Sequence, residues 1–456
     1  MKQIDIFDEI TSFMRFFLIF FLAGMSLQAQ NFPAVDSIYL DEIKSLAIYP
    51  RNIITGYPIV DLNRNQLKIE FDDITGQFAQ YTYSFFHCDK DWNYSTEIQD
   101  FDFRNGFVEE EIFNYFVSNG TDVPYHHYEL VLPNNKMSWR LSGNYILVVY
   151  KDDGDKRIAF TRRIFVVDPI LDINIRVQRP VNQSISRTHH EIDFFATYED
   201  FTVRNPFKEV SAQIYQNGIW ENGYREIPPI NVSLNTISFD YQNQIVFPAW
   251  KEFRYFDVRN IQFRTERVFE IYRSLDTIHV VLKTDRPRGD NYFTYFDING
   301  KFVLQNMDAA SNYVDHSTED ENIAQVLAED EMIMDQRIDL LSEYVNVHFS
   351  LNRQQFPDKE VFIVGAFNNW KLDDNSKMDY APEDQVYYKE LLLKQGYYEY
   401  MYVTKDIASG EISWTDIEGS RFETINDYLI FIYYRPFGTF YDQLIGMFTY
   451  ESTGTD

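Results

Sequence analysis

Asn144-Tyr145-Ile146-Leu147-Val148-Val149-Tyr150 and Ile158-Ala159-Phe160-Thr161-Arg162-Arg163-Ile164-Phe165-Val166-Val167 flank the polar run Lys151-Asp152-Asp153-Gly154-Asp155. Both arms are rich in β-branched and aromatic residues, and the Asp-Gly pair supplies the positive φ that a tight turn needs. The stretch therefore reads as a β-hairpin. Working outward, Leu67-Lys68-Ile69-Glu70-Phe71 and Leu171-Asp172-Ile173-Asn174-Ile175-Arg176-Val177 alternate apolar and polar residues with the period of a half-buried strand. Further short strands are expected around Ile192, Val210, Ile237 and Ile278, then around Val345, Val361, Tyr387, Tyr397 and Tyr428. The 33 Tyr and 40 Phe against 18 Gly fit such a chain, because flat side chains pack well on a pleated surface. The fold class expected is all-β: three tandem immunoglobulin-like β-sandwich domains.

Boundaries follow where the alternation breaks. Asp168-Pro169 separates two strand sets, since proline cannot donate to a ladder. From Met307 to about Tyr344 acidic residues dominate, while Ile323, Val326, Leu327, Met332, Met334, Ile338 and Leu341 recur mostly at threes and fours, the pattern of a short amphipathic helix. The expected division is a signal peptide at 1–30, sandwiches at 31–168 and 169–305, an acidic linker with a short helix at 306–344, and a third sandwich at 345–456.

Arg15 to Leu27, a basic residue followed by an apolar run, leads into Gln28-Ala29-Gln30. This is the layout of a secretory signal cleaved near Ala29, and it is shorter than the roughly 20 residues that span a bilayer. Asp5, Asp8 and Glu9 are awkward for a basic leader, so Met14 rather than Met1 is the expected start. No later stretch is apolar enough to span. The lone cysteine, Cys88, excludes an intramolecular disulfide and, lying far beyond the signal, a lipid anchor there; a buried structural thiol is expected. A large exported chain without disulfides fits a Gram-negative periplasm.

With 41 basic and 70 acidic residues the formal net charge is −29, which disfavours nucleic acid and anionic membrane surfaces as partners. Phosphate loops, paired-histidine zinc helices and the Gly-x-Ser-x-Gly elbow are missing from the sequence. His126-His127 and His189-His190 are adjacent pairs, and neighbours on a strand point to opposite faces, so neither pair is read as a chelate. Asp152-Asp153-Gly154-Asp155 lacks the spaced oxygens of a calcium loop. No catalytic, cofactor or metal set is expected, and the chain reads as a binding protein, not an enzyme.

Two resemblances sharpen this reading. His87-Cys88-Asp89-Lys90-Asp91-Trp92-Asn93, Ser142-Gly143-Asn144-Tyr145 and Phe165-Val166-Val167-Asp168, with Phe247-Pro248 and Glu252-Phe253-Arg254-Tyr255-Phe256-Asp257 further on, resemble the plug protein family of the type IX secretion system. The resemblance implies a periplasmic protein, peripheral at the inner face of the outer membrane, that occludes the giant translocon barrel. Its candidate partner contacts are Trp250, Arg254 and Tyr255, the residue types that dominate interface hot spots; core packing is the competing use for them. In the third region, Val361-Phe362-Ile363-Val364-Gly365-Ala366-Phe367-Asn368-Asn369-Trp370 and Gly396-Tyr397-Tyr398-Glu399-Tyr400 are similar to the early-set glycogen-binding module. That resemblance implies a sugar platform of Trp370 and Trp414 flanked by Thr424 and Asn426, although Met401 stands where lysine is expected and Tyr387 where Trp is common. The primary expectation is thus a steric plug, and the alternative a periplasmic or surface glycan-binding protein.

Overall fold

The computed structural model describes residues 32–453 apart from 200, 275–276, 290–291 and 309–339. The signal segment and most of the expected linker helix lie outside the described residues. The hairpin is present as Gly143–Asp152 paired antiparallel with Arg157–Val167, with a register shift at Val149/Tyr150. Both of its faces are buried. Tyr145, Leu147, Val149, Ile164 and Val166 point into the core of the first sandwich, whereas Ile146, Phe165 and Val167 enter a second apolar cluster on the other side. Two buried faces explain why the arms read as nearly continuous apolar runs instead of a strict alternation.

Three β-sandwiches make up the described residues. The first places a sheet ordered Ser37–Ile38, Arg157–Val167, Gly143–Asp152, Gln80–Cys88 and Glu110–Glu111 against a second sheet ordered Ile43–Pro50, Leu67–Asp73, His126–Leu132 and Asn114–Val117. Phe71, Tyr81 and Tyr128 interlock at its centre with ring centroids 4.7–5.1 Å apart. Helix is confined to single turns such as Asp100–Phe103 and Pro206–Glu209 among the described residues.

The second and third sandwiches do not follow one another along the chain. Asp427–Tyr434 pairs from Tyr428 to Tyr434 with Val210–Gln216, and Gln443–Glu451 adds beside it. The last strands of the chain therefore close the second sandwich, where Tyr428, Ile430 and Ile432 share a core with Ile192, Phe194 and Ile214. Likewise Arg254–Asp257 and Phe302–Leu304 pair with Gly396–Asp406, and Thr277–Leu282 runs parallel to Tyr344–Asn352. These boundaries correct the expected division into 169–305 and 345–456. The period-two pattern of a strand shows which residues face a core but not which strand lies beside it. Residues 254–304 and 344–426 share one sandwich, and residues 427–451 belong to another, so 345–456 is not a self-contained early-set module.

A fragment of residues 345–456 therefore lacks strand partners from the second sandwich and from residues 254–304 of the third. It is expected to show neither near-ultraviolet dichroism nor a cooperative transition, while the full chain shows both. A chain truncated after residue 426 is expected to lose protease resistance in residues 172–248 as well, as read by limited proteolysis with mass spectrometry.

Candidate functional site

The residues singled out from sequence mostly join the second sandwich to the third. Trp250 is buried and stacks on Trp414 at 5.0 Å and 22°. Trp370 packs edge-on against Phe253 at 5.6 Å and belongs with both to a cluster containing Ile219, Phe362, Val364, Met401 and Val403. Gly300, at φ +79°, admits the Trp370 ring so closely that a Cβ there would sit 2.3 Å from its Cη2. At 8% exposure Trp370 spends most of its ring area on this packing. Thr424 and Asn426 are also buried and internally satisfied. The Thr424 hydroxyl donates to the Arg421 carbonyl at 2.7 Å; the Asn426 amide donates to the Trp250 carbonyl at 3.1 Å, and its oxygen accepts from Gln216 and Asn217. The expected sugar platform is thus a buried seam, because wide apolar faces are consumed where two curved sheets meet.

Arg254 is likewise internal. It donates through Nε to Glu418 at 2.9 Å, through Nη1 to Asp285 at 2.8 Å and through Nη2 to the Arg286 carbonyl. Burial disfavours its charge, but Glu418 and Asp285 outweigh that and raise its pKa further. Of the three expected partner contacts Tyr255 alone is partly exposed, stacked on Tyr397 and donating to Glu266 at 2.8 Å. Cys88 is fully buried, and burial pushes its thiol up, as a structural thiol requires.

What sequence reading did not find is that all three sandwiches meet. Between first and second, Phe165 stacks on Phe431 at 4.3 Å amid Trp92, Tyr215 and Trp220. At the common corner the Asp427 carboxylate accepts from Tyr57 of the first sandwich at 2.6 Å, and from Lys301 at 2.9 Å and Asn299 at 3.0 Å on the third. Its own N–H donates to Asn217 at 2.7 Å. A cavity of about 260 Å³ opens beside this corner, lined by Tyr57, Arg163, Trp220, Lys301 and Trp370.

The contact between first and third sandwiches is ionic. Asp72 accepts from Lys394 at 2.8 Å and from Tyr344 at 2.7 Å, and lies 2.7 Å from His127 Nδ1. Burial opposes ionisation of Asp72, but Lys394 and His127 outweigh it and hold the carboxyl at about 2. Burial also disfavours the His127 cation, and the hydrogen bonds to Asp72 and Glu129 overcome it, raising the imidazole to about 9. Glu129, lowered to about 2 against its own burial, is held by His127 and Lys68. Glu70, His127 and Glu129 have metal-like spacing, but the Lys68 ammonium already bridges the two carboxylates at 2.7 and 2.9 Å.

With the interior committed to seams, outward chemistry falls to exposed aromatics. Phe437 is 90% exposed and Phe440 lies in the same loop; Glu209 accepts from the Phe437 N–H, bringing exposed Phe207 alongside. Tyr441 of that loop packs on His87, which also meets Phe103, so exposed Phe101 flanks the same end of the molecule. Phe293 and Phe296, the latter 85% exposed, mark a separate loop of the third sandwich. Exposed apolar side chains on a highly charged protein are the candidates for an interaction surface. No helix among the described residues is long and apolar enough to cross a membrane.

Residues 43–168 match the family model described as type 9 secretion system plug protein 1st domain. The match supports the type IX secretion plug family, as the motifs around His87 and Ser142 implied. Among solved structures, the crystal structure of a hypothetical protein from Parabacteroides merdae ATCC 43184 is similar over 92% of this chain and 100% of that one, at 28% identity and a TM-score of 0.82. No curated protein matches.

Trp370→Ala is expected to destabilise the protein by about 3–5 kcal/mol in denaturant unfolding, the usual cost of emptying a large aromatic site. The ionic seam has a defined pH window. The His127 contribution, from a pKa raised to about 9, is complete below about 6.5 and lost as pH rises through 9. The Asp72 and Glu129 contributions, from values near 2, are complete above about 4.5 and lost as pH falls through 2. The denaturation midpoint should therefore decline on the alkaline side of pH 6.5, and His127→Ala should flatten that decline.

Proposed function

We propose that this protein is a non-catalytic periplasmic plug of type IX secretion, which docks at the outer-membrane translocon barrel and fills its lumen from the periplasmic side. The observation that carries this reading is the plug-domain match over residues 43–168. The architecture fits the task. An aqueous barrel leaks unless a body of fixed shape occupies it, and three sandwiches joined by buried aromatic and ionic seams form a stiffer body than beads on linkers. Exposed phenylalanines at Phe101, Phe207, Phe437 and Phe440 offer apolar anchors of the kind that contribute to binding energy at interfaces.

The mechanism is steric and reversible. Cargo or a conformational change in the barrel displaces the plug by favouring the plug-free state, so the docking affinity has to be moderate. The negative charge of the chain steers it to a basic rim and away from anionic lipid. The glycan reading has no comparable support, since Trp370, Thr424 and Asn426 are buried.

Affinity purification of the tagged protein from detergent-solubilised envelope is expected to recover a very large barrel protein. The conductance of that barrel in planar bilayers should fall when the purified protein is added. Phe437→Asp with Phe440→Asp is expected to weaken recovery by about 2 kcal/mol or more, roughly thirtyfold, without lowering the denaturation midpoint. Unchanged conductance with and without the protein would sink the plug reading.

A further inference from the structure

The solvent face of the third sandwich carries a group of side chains that none of the seams uses. Thr277–Leu282, Tyr344–Asn352 and Val386–Lys394 lie side by side in one sheet. Ile278, Val280, Val345, Val347 and Phe349 point into the core, so strand alternation turns His279 and His348 outward. The first two strands run parallel with His279 opposite Asn346, two residues before His348, which brings the rings together on a diagonal. The third strand runs antiparallel and sets Glu390 directly opposite His348.

The result is a convergent donor set. His279 Nδ1 and His348 Nε2 face each other at 2.9 Å, and His348 Nδ1 is 3.6 Å from Glu390 Oε2. One ligand atom from each residue lies within 4.8 Å of the other two. Tyr272 stacks on the His279 ring at 4.8 Å and 8°, which fixes the plane of that ring. A depression of about 370 Å³ lined by Val281, Ser350, Asp379 and Tyr388 opens beside His348 and Glu390.

We propose that His279, His348 and Glu390 bind one divalent transition-metal ion of the zinc class. Two imidazoles and a carboxylate are the donors of a three-ligand zinc site, with the fourth position open to water or to a ligand from outside. Donors about 2.0–2.2 Å from a tetrahedral ion stand roughly 3.3 Å apart, and the two ring nitrogens are already close to that separation. The Glu390 carboxylate, half exposed at 50%, closes the remaining distance by rotation of its own side chain. Magnesium and calcium are poor fits, because they prefer all-oxygen shells. At Glu70, His127 and Glu129 a lysine ammonium holds the place an ion would take, whereas no cation is paired with His279 or His348 among the described ion pairs. A bound ion would tie Thr277–Leu282 to Tyr344–Asn352, two strands separated in the chain by residues 283–343.

The test is titration of the full-length, chelator-treated protein with Zn2+ by calorimetry and with Co2+ by visible absorption. The expected result is saturable binding of one ion per chain, tetrahedral Co2+ bands, and a rise in the thermal midpoint with Zn2+. His279→Ala and His348→Ala are each expected to weaken binding by at least about tenfold, the lower end of what losing even a supporting residue costs a metal site. Glu390→Gln should weaken it less, and His127→Ala should leave it unchanged. Undiminished binding in the His279→Ala, His348→Ala double variant would overturn the proposal, as would wild-type protein that binds no more tightly than that variant.

Discussion

The Asp427 carboxylate is shared by three modules. Tyr57 reaches it from the first sandwich, Lys301 and Asn299 from the third, and its own backbone is the first residue of the strand that closes the second. A buried carboxylate is costly unless every lone pair is answered. Here the answering groups come from the two other sandwiches, so the charge is satisfied only when both are in place. Removing either of the other two modules would leave the anion at the corner only partly compensated. The arrangement converts a local hydrogen-bonding requirement into a constraint on the relative placement of the whole molecule.

The aromatic seams supply the energy that this corner organises. Phe165 against Phe431 and Trp250 against Trp414 bury wide rings between sheets that would otherwise present apolar faces to water. Buried ionic networks stand beside them, Arg254–Glu418–Asp285 inside the third sandwich and Lys394–Asp72–His127 between the first and the third. Such networks add little net stability compared with hydrophobic packing, but breaking one partner is expensive, which favours a single arrangement over sliding alternatives. A protein with one cysteine and no disulfide has these seams as its staples.

The strands and their inward faces were legible in the sequence, because alternation and turn chemistry are local. The hairpin at Gly143–Val167 and the burial of Cys88 follow from residues within a few positions of one another. Partnership between strands was not legible. Val210–Gln216 and Asp427–Tyr434 are far apart in the chain, and nothing in either pattern names the other. The tryptophans show the same limit: Trp370 and Trp414 have the surface chemistry of a sugar platform, and only the approach of Phe253 and Trp250 turns it into packing. The histidines were weighed as adjacent pairs, where alternation separates the rings, whereas His279 and His348 converge through a parallel ladder that sequence proximity does not reveal.

The return of the chain at Asp427–Tyr434 governs the order in which the molecule can be made. The second sandwich lacks its inner strand until Asp427–Tyr434 is available, so no amount of early folding by residues 172–248 yields a finished module. Until then those residues present an unpaired edge at Val210–Gln216, the kind of surface that recruits holding chaperones or aggregates. Completion therefore waits on Asp427–Tyr434: a chain cut short before that strand leaves the edge open, and one that contains it can close the second sandwich.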